Sequence, residues 1–205
     1  MTDSLHSSNS NPFAVVYDLE FTAWDGSMLR RWLGPGEYKE VIQIGAVKVT
    51  SEFSPIERFE CLIRPRLNPQ LSRYIEDLTG ITNAAIAARG IDFVSGYENF
   101  VAFAGGLPLI AFGRDDLVLR DNLRLYSLKQ VSPLPPVVDI RRWLIANGID
   151  VKGMHACDVG PKAGVPFEGQ THDGLADALS VAAGIRALMA KGAPCPDITA
   201  PEIYP

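Results

Sequence analysis

The sequence has few of the features that mark secreted, membrane-spanning or duplex-binding proteins. Its three cysteines, Cys61, Cys157 and Cys195, are an odd number without a Cys-x-x-Cys pair, which argues against a disulfide framework and favours buried thiols in a reducing compartment. No apolar run approaches the roughly 20 residues that span a bilayer. The net charge is −5, whereas proteins that hold a long duplex by its phosphates usually have a basic surface, so extended duplex binding is disfavoured.

Two catalytic loop motifs are also absent. The sequence has no Gly-x-Ser-x-Gly elbow, which disfavours an α/β hydrolase, and no Gly-x4-Gly-Lys-Ser/Thr loop, which disfavours a P-loop nucleotide hydrolase. Residues 1–12 are rich in Ser and Asn but contain neither a basic n-region nor an apolar h-region. We therefore expect a disordered lead rather than a signal peptide, and a cytoplasmic protein.

The rest of the chain has the composition of one α/β domain. With 205 residues, 47% of them hydrophobic, the chain can bury one sizeable core, which we expect over residues 13–191, before a Pro-rich tail at 192–205. Apolar, β-branched runs and helical periodicity predict strands at 13–19, 41–49, 58–63, 107–112 and 137–138, and helices in pieces over 71–106 and then at 115–125, 139–146, 155–163 and 173–190. Strands that come first as a meander and then alternate with helices predict an α/β fold, a mixed sheet flanked by helices, with ligands at the carboxyl ends of its strands.

Two acidic residues, Asp18 and Glu20, lie at the end of the first predicted strand. Residues i and i+2 of a strand share a face, so both carboxylates can reach one cation. An Asp-x-Glu pair alone is weak evidence, because such pairs arise by chance in a chain with 24 acidic residues. Its interpretation depends on the other motifs.

A histidine and an acid, His172 and Asp177, flank the start of the last predicted helix. Asp177 falls on the apolar side of that helix and is expected to face the sheet. A buried carboxylate is costly unless it is protonated, paired or bound to a metal. Thr171 or Asp173 can cap the helix, but a cap does not account for His172 and Asp177 together.

A further acidic pair, Asp115 and Asp116, follows the fourth predicted strand. Either residue can be a ligand at this strand-to-helix junction and either can be a helix cap, and composition does not separate them. The neighbouring Arg114 and Arg120 are interpreted as part of a solvated helix face. His155 has no acidic set around it and is interpreted as a core or capping residue.

Several ordered motifs connect these residues. They are Val-Val-Tyr-Asp18-Leu-Glu20-Phe-Thr, Val41-Ile-Gln-Ile-Gly-Ala-Val, Asp77-Leu-Thr-Gly-Ile-Thr82, Phe112-Gly-Arg-Asp-Asp116 and Gly164-Val-Pro-Phe-Glu-Gly-Gln-Thr-His172-Asp-Gly-Leu-Ala-Asp177-Ala. With these motifs, residues 13–188 resemble the DEDDh branch of the DnaQ-like 3′-to-5′ exonucleases, most nearly the Eri1-like and KapD-like members. The resemblance implies a ribonuclease H-like fold with a mixed five-stranded sheet flanked by helices.

The resemblance also implies a metal site. It assigns two divalent cations to Asp18, Glu20, Asp116 and Asp177, preferring Asp116 to Asp115, and it assigns to His172 the proton of the attacking water. Carboxylate oxygens suit Mg²⁺ or Mn²⁺ better than zinc. Paired ions of this kind clamp the attacking and leaving oxygens of a phosphoryl displacement, and a histidine suits the proton transfer.

The implied substrate is the 3′ end of single-stranded nucleic acid, with RNA slightly favoured over DNA. Phe21, Thr22 and Trp24 follow Glu20 and are expected to contact this substrate. Phe21 can stack on a base or belong to the core. A short engagement with a strand end is compatible with an acidic chain, because bound metal ions supply positive charge locally.

Two departures from the resembled pattern concern the choice of substrate. Ala23 stands where those relatives commonly have Gly or Cys, and Asp173 stands where a basic or small residue is usual. The alternative function is a catalytically silent nucleic-acid-binding adaptor with the same fold, whose expected signature, loss of one of the five site residues, is absent. No motif indicates the oligomeric state.

Overall fold

The fold is built on one mixed β-sheet. The computed structural model describes residues 11–199, and its strands are β1 (Ala14–Phe21), β2 (Val41–Val49), β3 (Pro55–Leu62), β4 (Leu109–Ala111) and β5 (Val137–Asp139). They lie in the order β3-β2-β1-β4-β5. β1, β2 and β3 pair antiparallel, whereas β4 pairs parallel with both β1 and β5. The predicted α/β fold with a mixed, helix-flanked sheet is confirmed.

Helices cover both faces and one end of this sheet. They are α1 (Ser27–Arg30), α2 (Arg73–Thr79), α3 (Asn83–Arg89), α4 (Phe93–Ala104), α5 (Asp115–Leu125), α6 (Arg141–Ala146), α7 (Val159–Ala163) and α8 (Gly174–Ala190). The side chains of Ser72, Thr82, Asp92 and Asp173 cap α2, α3, α4 and α8 by accepting a backbone N–H. Within residues 11–199, no helix is long and apolar enough to cross a membrane.

Some predicted boundaries differ from the observed ones. β3 begins at Pro55 rather than residue 58, because a proline is tolerated at the first residue of an edge strand. The helix predicted over 155–163 is a 3₁₀ turn (Ala156–Asp158) followed by α7, in which Pro161 lies in the first turn, where its missing N–H costs nothing. Helix α1 was not predicted. Residues 1–10 of the predicted lead and 200–205 of the predicted tail lie outside the described residues.

A separate apolar core covers each face of the sheet. Successive residues of a strand point to opposite faces, so β1 contributes to both cores. On one face Val16 belongs to the same buried cluster as Val181 of α8, and on the other Tyr17 belongs to a cluster with Phe100 of α4 and Leu119 of α5. The sheet is therefore held between α8 and the α4–α5 pair, which fixes the position of the end of β1.

The first turn of α8 lies directly against β2. A Cβ added at Gly45 would stand 2.1 Å from the carbonyl carbon of Gly174 and from the backbone nitrogen of Leu175, so only a glycine fits at position 45. The buried Gln43 side chain accepts the Gly174 N–H at 2.8 Å and donates to Asp173 at 3.1 Å. This contact places the first turn of α8 beside the end of β1.

Candidate active site

A cavity of about 470 Å³ opens at the carboxyl end of β1. The end of β1, the starts of α5 and α8, one side of α2 and the segment before the 3₁₀ turn all contribute to its wall. Its lining includes the carboxylates of Asp18, Glu20, Asp115 and Asp177 and the imidazole of His172. Four of the five residues predicted to carry the chemistry therefore lie at one cavity, joined by Asp115 in place of Asp116.

The side chains of Asp18 and Glu20, near the carboxyl end of β1, extend into this cavity. They are 9% and 7% exposed, respectively, and both line it, as expected for residues two apart on one strand. Asp18 pairs across the sheet with Gly45, the glycine against which α8 begins. The close contact between Gly45 and the start of α8 thus brings a second set of side chains to the β1 carboxylates.

That second set is Asp177 and His172. Asp177 is 2% exposed, and its Oδ1 has no hydrogen-bond partner among the described residues. His172 precedes the helix with a left-handed backbone, φ 60°, which turns the chain into the Asp173 cap. One donor atom each of Glu20, His172 and Asp177 lies within 4.8 Å of the other two.

The two acids at the start of α5 face different surroundings. Asp115 lines the cavity, whereas Asp116 is absent from its lining. The buried Asp116 carboxylate accepts from Arg114 Nε at 2.8 Å and from Arg114 Nη2 at 3.0 Å, and lies 3.6 Å from Arg120 Nε. Adjacent helical residues point roughly 100° apart, so only one of them can face the cavity. The structure thus places Asp115, and not the predicted ligand Asp116, at the cavity.

The site concentrates negative charge in a poorly solvated space. Burial raises the pKa of Asp18, with Asp115 as the next largest cause, and burial followed by Asp177 raises the pKa of Glu20. Burial raises the pKa of Asp115 to about 7 and that of Asp177 to about 7. When these four carboxyl groups are ionised, they repel one another in a poorly solvated space. The ionised cluster therefore destabilises the fold unless a positive charge compensates it.

Divalent cations would supply that charge, and the residues fit them. The unpartnered Asp177 Oδ1 is a buried acceptor that lacks a donor, and such an atom calls for an ion or a water. The surrounding carboxylate oxygens are hard donors of the kind that Mg²⁺ and Mn²⁺ prefer. Asp18, Glu20, Asp115 and Asp177 are the residues that would hold such ions.

The charge cluster predicts how stability depends on pH and metal. A carboxyl group whose pKa is raised on folding binds its proton more tightly in the folded chain, so metal-free protein should lose stability as pH rises from about 4 to about 7. At higher pH, a hundredfold excess of Mg²⁺ or Mn²⁺ over its Kd should raise Tm by roughly 5 to 10 °C. Thermal melts with EDTA or with metal, across this pH range, measure both effects.

Two variants separate the cluster from general charge effects in these melts. Asp177→Asn removes one of the converging charges and should reduce the metal-induced rise in Tm. Asp121→Asn, an equal charge change at an exposed residue of α5 that pairs with Arg124, should leave the rise unchanged. Equal melting temperatures in EDTA across the pH range, with no response to metal, would contradict the assignment.

Aromatic side chains form the apolar wall of the cavity. Phe21 and Trp24, which are predicted to contact substrate, line it, and they are joined by Trp32, whose ring lies 5.6 Å from that of Phe21. Thr22 is different, because it is buried, it does not line the cavity, and its hydroxyl donates to the Tyr38 carbonyl at 2.5 Å. Unlike Phe21 and Trp24, Thr22 is therefore placed where its side chain holds the β1–β2 connection rather than at the cavity.

Sequence reasoning missed three further residues of the lining: Tyr74, Arg141 and His155. Arg141 follows β5 by two residues, and the general rule that ligands bind at carboxyl ends of strands could have found it. Its Nε lies 3.0 Å from both carboxylate oxygens of Asp139. His155 is exposed rather than in the core, but it is the N-cap of the 3₁₀ turn, as the capping alternative predicted, and its backbone N–H donates to Asp158 Oδ2 at 2.8 Å. Its ring lies 5.1 Å from that of His172 in an edge-to-face arrangement. Only the folded chain brings these two histidines together.

A carboxylate cluster of this kind, beside a histidine, is suited to metal-dependent hydrolysis of phosphate esters, the chemistry of metal-dependent nucleases. The family model RNase_T, described as exonuclease, matches residues 15–183. The chain therefore belongs to this exonuclease family, of the DEDDh type, and the predicted family is confirmed. Members of the family depend on divalent metal ions. Among curated proteins, none matches the chain significantly.

Several solved structures have the same fold. The nuclease domain of 3′hExo bound to rAMP is 21% identical, with a TM-score of 0.73 over 88% of this chain and 92% of that chain. Cell-death related nuclease 4 is 21% identical, with a TM-score of 0.70 over 89% and 66% of the two chains. Escherichia coli exonuclease I, in complex with a dA16 oligonucleotide, is 16% identical, with a TM-score of 0.64 over 89% and 42%. These likenesses establish the ribonuclease H-like fold.

Proposed function

We propose that the chain is a 3′-to-5′ exonuclease that hydrolyses single-stranded nucleic acid, RNA slightly ahead of DNA, with two divalent cations. The observation that carries this proposal is the convergence of Asp18, Glu20, Asp115, Asp177 and His172 on one cavity. The slight preference for RNA is supported by the motifs similar to Eri1-like and KapD-like exonucleases and by the rAMP in the similar 3′hExo domain.

The residues of the site have two roles, which are binding of the metal ions and transfer of a proton. Two Mg²⁺ or Mn²⁺ ions, when bound, would stabilise charge on the attacking and leaving oxygens of the phosphodiester. Asp18, Glu20, Asp115 and Asp177 would hold the ions. His172 accepts the proton of the attacking water, because burial, and then the neighbouring His155, lowers its pKa and keeps the imidazole unprotonated at neutral pH.

The rest of the cavity positions the strand end. Phe21, Trp24 and Trp32 offer apolar ring surfaces for an unstacked base, and stacking of this kind is tolerant of sequence. Arg141 brings a guanidinium to the lining, where it can approach a phosphate. A cavity of about 470 Å³ accommodates a terminal nucleotide rather than a duplex, which supports attack at a strand end.

The test is digestion of a 5′-labelled single-stranded RNA and its DNA counterpart with Mg²⁺, Mn²⁺ or EDTA. A ladder that shortens from the 3′ end, requires metal and disappears in Asp18→Asn establishes the reaction. The relative rates on RNA and DNA measure the sugar preference. Binding of both oligonucleotides without cleavage under any metal would instead support the silent adaptor.

We also propose the predicted domain division and compartment. Residues 13–191 form the exonuclease domain, supported by the family match over 15–183 and by the cores on both sheet faces. The cytoplasm is the proposed compartment, supported by three cysteines that are all free thiols.

A further inference from the structure

A second cavity, of about 260 Å³, lies away from the carboxylate cluster. Its floor is apolar and its rim carries two arginines. The main lining residues are Arg64, Pro65, Arg66, Phe93, Tyr126 and Leu128, a set named here the arginine pocket. It shares no lining residue with the cavity of the candidate active site.

The two arginines of this pocket have no carboxylate partner within residues 11–199. Arg64 Nη2 donates to the carbonyl of Gly90 at 2.8 Å, and the Arg66 guanidinium carbon lies 5.9 Å from the ring centroid of Tyr126. Neither side chain forms an ion pair with another described residue. Two guanidinium groups without an ion-pair partner in the described part of the chain are suited to bind an anion from outside.

A buried carboxylate fixes the geometry of the pocket. Glu40 is 0% exposed, and it accepts the backbone N–H groups of Arg66 and Leu67 at 2.6 and 2.7 Å. The Asn68 backbone N–H and the Tyr126 hydroxyl donate to the same carboxylate at 2.6 and 2.5 Å. Glu40 thus connects the turn that carries Arg66 with Tyr126, the residue whose ring the Arg66 guanidinium faces. The pocket is therefore a built feature rather than a chance gap between surface side chains.

One acid also lines the pocket, and both of its carboxylate oxygens accept hydrogen bonds from the first turn of α4. Asp92 caps α4, where its Oδ1 accepts the Ser95 N–H at 3.1 Å and its Oδ2 accepts the Ser95 hydroxyl at 2.6 Å. Phe93, which is 4% exposed, meets Tyr126 edge to face, with ring centroids 5.5 Å apart, and the partly exposed Tyr126 ring presents apolar surface beside the arginines. Guanidinium groups above aromatic rings match the two parts of a nucleotide, its phosphate and its base.

One short segment connects the pocket to the candidate active site. Glu40 organises the arginine pocket, whereas its neighbour Lys39 places its Nζ 4.1 Å from the ring centroid of Trp32 and 5.3 Å from that of Phe21, two rings of the first cavity. The two cavities therefore adjoin opposite ends of the same dipeptide. Lys39 adds a third cation between the two arginines and the aromatic wall.

We propose that the arginine pocket binds a nucleotide of the substrate strand upstream of the 3′ end, with Arg64 and Arg66 on phosphates and a base against Tyr126. The proposal rests on the proposed function, because it names where the strand continues beyond the cleaved end. Its chemical consequence is that long strands bind more tightly than short ones through contacts that take no part in the hydrolysis.

The test measures binding of a long single-stranded oligonucleotide as a function of salt. In an Asp18→Asn background, which prevents cleavage, the double variant Arg64→Gln/Arg66→Gln should reduce the slope of log K against log salt by about 1.4, since each phosphate contact on a single strand contributes about 0.7. The matched control Arg58→Gln/Arg186→Gln makes the same charge change at exposed positions of β3 and α8 and should leave the slope unchanged.

Kinetics of the chain with Asp18 intact give a second readout. The arginine double variant should raise KM for the long oligonucleotide roughly tenfold, which corresponds to the loss of phosphate contacts. It should leave kcat, and all cleavage of a dinucleotide, unchanged. Equal effects on long and short substrates, or equal slopes in the two double variants, would overturn the proposal.

Two outcomes distinguish this inference from the proposed function. If the wild-type chain cleaves nothing but the arginine variant alone reduces the salt slope, the pocket stands and the exonuclease proposal fails. If cleavage occurs and the arginine variant behaves as its control does, the pocket assignment alone fails. Binding of a free nucleoside monophosphate that depends on Arg64 and Arg66, with no effect on long strands, would also overturn the assignment to the substrate strand.

Discussion

Asp115→Asn is expected to lower kcat/KM for oligonucleotide cleavage on the order of a thousandfold or more, whereas Asp116→Asn should keep it within about tenfold. The asymmetry follows from where the two carboxylates lie. Asp115 lines the cavity with Asp18, whose pKa it helps to raise, so we propose it as one of the residues that would hold the metal ions. Asp116 faces Arg114 and Arg120. Initial rates on a labelled oligonucleotide, with saturating Mg²⁺, measure the difference.

The Asp116 variant should be affected in stability instead. Removing its charge leaves the partly buried Arg114 guanidinium without its bidentate carboxylate. Because both arginines remain partly solvated, the expected loss is about 1 kcal/mol of the free energy of unfolding, or about 2 to 4 °C in Tm. A thermal melt of each variant checks this. A large loss of activity in Asp116→Asn with a normal melt would return the ligand role to Asp116.

The exchange of these two neighbours illustrates what periodicity in a sequence cannot resolve. Asp115 and Asp116 have the same chemistry, and either residue could begin α5 as far as the apolar pattern is concerned. Which acid faces the cavity depends on the rotation of α5 about its axis. That rotation is set by packing of Val118 and Leu119 into the core on one face of the sheet, a long-range contact that the local sequence does not contain.

Other parts of the site could be predicted because local spacing determines them. Asp18 and Glu20 share a face through the two-residue repeat of β1, and Asp177 faces the sheet through the helical repeat of α8. The strand segments of all five strands were located by their apolar runs. Even so, the close packing of α8 beside β1 depends on Gly45 of β2. Only the folded chain shows that a side chain at this position would clash with the first turn of α8.

The β1–β2 connection was the part least accessible to sequence reasoning. Residues 22–40 contain Gly34, Pro35 and Gly36 and have little periodicity, so they predict a loop and nothing more. In the folded chain this loop supplies Trp32 to the wall of the first cavity and Glu40 to the arginine pocket. Both contributions depend on partners far along the chain. The β1–β2 connection, which has little sequence periodicity, thus contributes to the surroundings of the acidic residues at the end of β1.

His172→Ala is expected to reduce kcat by about a hundredfold to ten-thousandfold, the usual contribution of a positioned general base, with a smaller change in KM. His155→Ala is the matched control, because it removes the neighbouring imidazole of the same cavity but not the predicted base. Its effect on kcat should be far smaller. Single-turnover rates of both variants, at a metal concentration that saturates each, make the comparison.

The melting curve of the same variant decides how His172 acts. One of its ring nitrogens lies within 4.8 Å of donor atoms of both Glu20 and Asp177, a spacing that also suits a metal ligand. If His172 acts as a general base, the variant His172→Ala should keep the metal-induced rise in Tm. The ions would still be held by Asp18, Glu20, Asp115 and Asp177. Added imidazole should then restore part of kcat in His172→Gly by filling the space of the lost ring. A loss of the metal response in His172→Ala, with no rescue by imidazole, would make His172 a ligand and require another group to take the proton.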